Sequence, residues 1–235
     1  MLLHGGLLGA AGVASGGGSP PSYVRNHTAT QAYITSSYTL TLTTTPTVGN
    51  LLVVCVSSYS YATGDVTVAD NKGNSYTKQT SVGASTYAAI SIWTAPVTTS
   101  GGTFTLTITM PNTGGSNEQF SSAVAAEVSG QSASFLDAYG ASTSTSTAVA
   151  ATAMGDLTAS NDLVIGAMTR VGQSGTVTPN ANWTQIAEID EANSATFCLS
   201  AIYRVPGASG AYDPAWTLSS SDQWLAAGIA IKGAA

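Results

Sequence analysis

Charge is what this chain has least of. Only 8% of its 235 residues are charged, six basic against twelve acidic, where an ordinary soluble domain carries about 25%. The six cations, Arg25, Lys72, Lys78, Arg170, Arg204 and Lys232, are scattered along the sequence with no two adjacent. Duplex binding needs clustered cations to displace phosphate counterions, and an anionic membrane surface is held the same way. Neither nucleic acid nor membrane is expected as a partner. Cysteine is nearly missing: Cys55 and Cys198 lie in separate β-patterned runs. They are too few for a disulfide framework and read as buried free thiols, although a single bridge stays open. Long apolar runs are missing as well, since the longest in the body is "LLVVCV" at 51–56, far short of the ~20 residues of a spanning helix. Histidine is scarce too. His4 and His27 both fall before the expected sandwich, so no Ser-His-Asp arrangement is expected inside it.

Ser, Thr, Asn and Gln supply the polarity instead, punctuated by 25 glycines. Such a surface hydrogen-bonds water without strong fields, which suits a virion or an extracellular setting. The first residues differ from everything that follows. "MLLHGGLLGAAGVA" is apolar, Gly-rich and uncharged; it lacks a positive n-region and is interrupted by Gly-Gly, which argues against a secretory signal. Leu2, Leu3, Leu7, Leu8 and Val13 read as apolar anchors of an arm, with Gly16–Gly18 as a hinge and Pro20–Pro21 as a stiff exit. Extended, nineteen residues reach roughly 60 Å, enough to cross a neighbouring subunit.

From about residue 31 onward, strand signals recur every 8–12 residues. "YTLTLTT" (38–44) alternates as a half-buried strand does, and "LLVVCVSS" (51–58) is continuous, as in a strand covered on both faces. Gly-Asn, Gly-Asp, Lys-Gly-Asn and Gly-Gly between the runs are turn chemistry. The second half then echoes the first. "GNLLVVCVS" returns as "SNDLVIGAM", "STYAAISIWTAP" as "SATFCLSAIYRVP", and "EQFSSAVAAEVSG" as "DQWLAAGIAIKG". These echoes place Trp93 opposite Tyr203 and Phe120 opposite Trp224. The order of the matches predicts an internal duplication: an all-β, jelly-roll-like β-sandwich of two similar five-strand repeats, about 31–130 and 140–235, behind an N-terminal arm and hinge at 1–22. The alternative is two tandem immunoglobulin-like domains. Trp93, Phe104, Tyr203 and Trp216 are expected in or near the core.

Catalytic residues are not expected. The carboxylates Glu118 with Glu127, and Glu188, Asp190 and Glu191, are read as solvated strand edges rather than a glycosidase pair. "DNKGNS" (70–75) fails the calcium-loop pattern, because Lys72 stands where an oxygen ligand belongs; it reads as a turn, and neither metal nor cofactor is expected. Tyr59 and Tyr61, after the apolar strand, and Tyr139, in a Gly-Ala-Ser stretch, are candidate glycan contacts, since tyrosine stacks on sugar rings.

Several of these stretches together resemble a repeated pattern of bacteriophage structural proteins and some bacterial surface proteins. They are "PPSYV" (20–24), "TLTLTTT" (39–45), "GNLLVV" (49–54), "DNKGNSY" (70–76), "TPNANWTQI" (178–186) and "WLAAGIAIK" (224–232). Asn182 stands where that pattern usually has glycine. The resemblance implies a non-enzymatic virion component: a capsid decoration or head-surface protein anchored by its arm to major capsid or tail proteins, with a homo-oligomeric state. The other expectations are a tail-fibre or tail-tip subunit for host attachment, with a host-surface glycan as its candidate partner, and a bacterial cell-surface carbohydrate-binding module. The implied location is the virion, or else the cell surface.

Overall fold

The computed structural model describes residues 19–32, 36–59, 65–84, 88–111, 120–150, 154–172, 175–190 and 197–234, and among them every regular element is a strand. The first repeat supplies β1 (Ser22–Ala32), β2 (Ser37–Leu42), β3 (Leu51–Tyr59), β4 (Thr67–Asp70), β5 (Thr77–Gly83), β6 (Ala88–Pro96), β7 (Phe104–Thr109) and β8 (Phe120–Ser129). They form a five-stranded antiparallel sheet, β1-β8-β3-β6-β5, and a three-stranded sheet, β2-β7-β4. The alternation in β2 turns Tyr38, Leu40 and Leu42 inward and leaves the intervening residues in water. Phe104, Leu106 and Ile108 of β7 join them, and Leu52, Val54 and Val56 of β3 close this outer core from the large sheet. The continuous run of β3 is buried on both faces because a second layer covers its other side.

The second repeat supplies β9 (Gln131–Ala150), β10 (Asp162–Val171), β11 (Val177–Pro179), β12 (Thr184–Asp190), β13 (Phe197–Arg204) and β14 (Ala215–Gly233). Its two long strands each serve twice. The register between β9 and β14 shifts between Thr217 and Asp222. On the far side of that shift, β14 continues into a large sheet, β9-β14-β10-β13-β12; on the near side it pairs with β11 and with the end of β9. Thus β9 takes the places of β1 and β2, and β14 those of β7 and β8. The strand order of the first repeat is reproduced throughout.

The large sheets pack face to face, giving four layers in the order small, large, large, small. Leu51, Val53, Cys55, Ile90, Ile92 and Val128 meet Leu163, Ile165, Leu199, Leu225, Ile229 and Ile231 in a central seam. Each large aliphatic side chain buried there contributes about 1.5–3 kcal/mol. Across the seam β1 faces β12 while β9 faces β5, and β3 faces β13 while β10 faces β6. Exchanging the repeats maps each facing pair onto another, which is a pseudo-two-fold axis through the seam. Tyr23 of β1 stacks on Tyr203 of β13 across it, with ring centroids 4.8 Å apart. The chain passes from one sandwich to the other through Gly130 alone, at φ +76°, a conformation that glycine adopts without a Cβ penalty.

The β-sandwich and its duplication are therefore present, with three differences from the sequence reading. Each repeat carries an eight-strand plan rather than five, the first beginning at Ser22 and the second at Gln131. His27 lies within the sandwich, on β1 opposite Ala125 of β8. Phe104 and Trp216 are fully buried, but Trp93 and Tyr203 are half-buried on opposite faces: Trp93 packs against the outer core, Tyr203 against the seam. Phe120, opposite Tyr59, and Trp224 are split the same way. The sequence echoes identify the right strands but slip by one residue, which in a strand moves a side chain to the other face.

Candidate functional site

The residues singled out from the sequence do not converge. Leu2, Leu3, Leu7, Leu8 and Val13, with Tyr61, His4, Glu118 and Glu191, lie outside the described residues. Tyr59 packs into the rim of the seam and meets Phe120 edge-on, with ring centroids 6.4 Å apart. Tyr139 is 56% exposed on β9, opposite Ile229. Glu188 and Asp190 are exposed on β12; the first accepts a hydrogen bond from Gln185, and Asp190 lies 3.4 Å from the Arg170 guanidinium. Burial pushes the thiols of Cys55 and Cys198 up to about 12 and about 11, and both are free. Among the described residues no group of three or more His, Cys, Asp or Glu side chains is placed to hold a metal ion.

The "DNKGNSY" segment is a knot of hydrogen bonds. Asp70 accepts from the Lys72 and Asn74 amides, the Asn74 side chain and the Tyr76 hydroxyl. Asn74 in turn accepts from the amides of Thr98 and Thr99, the first at 2.8 Å. Its acceptors are spent on the chain itself, as a turn requires.

Two corners of the large sheets hold buried charge. In the first repeat, Glu127 of β8 accepts from Arg25 Nε at 2.7 Å, the Thr47 amide at 2.8 Å and Asn50 Nδ2 at 2.6 Å. Burial raises the Glu127 pKa, but these bonds outweigh it and leave the carboxyl below its usual range. His27 beside it is held below the usual imidazole range, first by burial and then by Arg25.

In the second repeat the polarity is exchanged. Lys232 of β14 lies 3.4 Å from Asp137 of β9, whose side chain is only 2% exposed. Asp137 also accepts the Thr158 amide at 2.7 Å and the Thr158 hydroxyl at 2.6 Å. Directly opposite Lys232 in the β10–β14 register stands Asp162, 0% exposed, whose carboxyl meets no hydrogen-bonding group other than the neighbouring Asp137. Burial first, and then the neighbouring Asp137, raise the Asp162 pKa to about 7. In the first repeat the residue opposite Glu127 at this register is Leu52. Composition does not reveal this corner. Its one sequence signal is an acidic residue opening the apolar run "DLVIGAM" and a basic one closing "AGIAIK".

The same end of the molecule receives the chain emerging from the leader. Gly233 and Gly130 lack the Cβ that would press on Ser19 and Asn161 in one case and touch Pro20 and Pro21 in the other. Pro21 is buried, and the Ala234 amide donates to the Gly130 carbonyl at 2.9 Å. Beside this junction an open cleft of about 400 Å³ is lined by Gly49, Leu51, Pro96, Gln131, Ser132, Ala133 and Phe135. Comparison with family models, with curated proteins and with solved structures returned no match to this chain.

Proposed function

We propose that this protein is a non-enzymatic structural component of a bacteriophage virion, a capsid decoration protein held to the shell by its N-terminal arm. The observation that carries the reading is the seating of Ser19–Pro21 against Gly130 and Gly233. The apolar leader thereby departs from a packed point at the junction of the two sandwiches rather than from a loose end. A Gly-rich leader loses about 1–2 kcal/mol of backbone entropy per residue on ordering, so its leucines are useful only where a partner buries them. The weakly charged, Ser/Thr-rich body is the part presented to solvent. Deleting residues 1–18 tests this: the double sandwich should melt at an unchanged temperature while its incorporation into particles is lost. Normal incorporation of the truncated protein would sink the arm reading. Copies per particle then decide between shell and tail, hundreds for decoration and a handful for a tail tip.

A second reading, attachment to a host-surface glycan, draws on the exposure of Tyr139 on an edge strand. Tyr59 lends it little, because its ring is engaged with Phe120. A glycan array probed with the wild type and Tyr139→Ala separates the two readings: binding lost in the variant favours adhesion.

A further inference from the structure

The corner formed by Asp137, Asp162 and Lys232 carries more than an ion pair. An amine and a carboxyl are held side by side on adjacent strands, and a second carboxyl faces the amine from the strand on its other side. We propose that Lys232 and Asp137 become joined by an amide bond formed within the folded chain, with Asp162 carrying the proton between nitrogen and leaving oxygen.

The step balances without any co-reactant. The Lys232 ammonium, itself one-third exposed, gives one proton to Asp137 Oδ1 across the 3.4 Å gap, which replaces the buried carboxylate charge and its partner ammonium with a neutral acid and a neutral amine. The amine attacks Asp137 Cγ, and the C–N bond forms as the carbonyl electrons move onto Oδ2. That oxygen already accepts the Thr158 amide at 2.7 Å, a donor placed where negative charge develops. The C–Oδ1 bond then breaks. Oδ1 departs as water with a proton from Asp162, and Asp162 recovers a proton from the nitrogen. Carboxylate plus ammonium have become amide plus water, with nothing oxidised or reduced.

Three features make the corner suited to this. Fixed neighbours on paired strands convert a bimolecular condensation into a unimolecular one. The Asp162 carboxyl has no hydrogen-bonding neighbour besides Asp137, the group to which it must deliver its proton. With its pKa raised to about 7 by burial and by Asp137, the group still holds a proton near neutrality, as a proton carrier must. The first repeat supplies the contrast. Its corner has Arg25, a delocalised guanidinium that does not act as a nucleophile, and Leu52 where the acid would stand. That corner remains an ordinary ion pair.

The test is the mass of the intact, denatured wild-type chain, followed by peptide mapping. The expected result is a chain lighter than its sequence by one water, with a branched peptide joining the Asp137 and Lys232 segments. Lys232→Arg should restore the full mass. Asp162→Leu, which copies the first repeat, should slow bond formation by about 100-fold or more while leaving both bonding residues in place. A wild-type chain of full sequence mass overturns the proposal, and so does a water loss that persists in Lys232→Arg, which marks a succinimide at Asp137. Bond formation at the wild-type rate in Asp162→Leu overturns the role given to Asp162.

Discussion

Along one row across three strands the first repeat carries Ala29, Ala123 and Val56, and the second carries Gly140, Gly228 and Gly166. In the first, these side chains themselves fill the outer core. In the second, the glycines leave a trough, and loop residues fill it: a Cβ on Gly228 would come within 2.6 Å of Met154 Sδ and 2.8 Å of Pro214 Cγ. The loops are tied together there, since the Met154 amide donates to Asp213 at 2.9 Å. One plan is thus packed in two ways, from the strands outward or from the loops inward. Strand order and the seam are shared; what differs is how each repeat closes its outer side and what it buries at its corner.

The largest effects should come from the fully buried aromatics on that outer side. Phe104→Ala in the first repeat and Trp216→Ala in the second should each cost ~3–5 kcal/mol in denaturant unfolding. Trp216 also loses its bond to the Ser200 hydroxyl. Trp93→Ala should cost clearly less, because that ring is half-exposed; equal losses at all three sites would contradict the assignment of faces. Next come the row residues. Gly166→Val should overpack the second repeat by ~1–3 kcal/mol or more, because Pro214 and Trp216 occupy the space. Val56→Gly should destabilise the first repeat by a similar amount through the opposite fault, a cavity. A harmless Gly166→Val would show that the loop filling is dispensable.

The corners should give opposite pH dependences. Glu127 has a depressed pKa, so its contribution is present above the ordinary carboxylate range and disappears as pH falls through the lower folded value. In the chain whose Asp137 carboxyl is still free, Asp162 has a raised pKa of about 7. Between roughly pH 4 and 7 the folded chain keeps a proton that the unfolded chain has released, so stability declines as pH rises through that window and is level above it. Glu127→Gln should remove the acid-side loss, and Asp162→Asn should flatten the decline toward neutrality. Melting temperature measured against pH reads both, and a decline that survives Asp162→Asn would assign it elsewhere. The smallest effect is expected at Tyr139→Ala, within ~0.5 kcal/mol by thermal melting, because that ring is exposed.

The strand plan was legible in the sequence because turns and apolar runs are local signals. Gly49-Asn50 and Gly73-Asn74 punctuate the chain wherever it folds, and the β2 alternation states which residues point inward. The seam was half-legible: "LLVVCV" announces a strand covered on both faces without saying what covers the second one. Register was not legible. In a run apolar at every position, a one-residue slip leaves the pattern unchanged, and so Trp93 was matched to Tyr203 across opposite faces. The Asp137, Asp162 and Lys232 corner was invisible for a related reason. It depends on which residues of β9, β10 and β14 fall side by side, and nothing local encodes a meeting between positions 137 and 232. The eight-strand plan was read as five for two reasons. In the second repeat β9 and β14 each run through two sheets without a Gly or Pro to mark the change. In the first, β1 lies before the expected first strand, while β4 and β5 are short and polar, with no apolar run to announce them.

The single-residue passage at Gly130 bears on how such a molecule is put together. A face that meets a rotated counterpart of itself is the arrangement of an isologous dimer, in which each partner offers the other the same patch. Here the two partners are consecutive stretches of one polypeptide, so their encounter does not depend on how many molecules are present in solution. Fusion turns a concentration-dependent association into a unimolecular one, at an effective concentration no separate half-molecule would meet in dilute solution. It also frees the two halves from having to be identical. One could keep a plain ion pair at its corner while the other acquired a lysine flanked by two acids, a division of labour that a symmetric pair of identical chains cannot make.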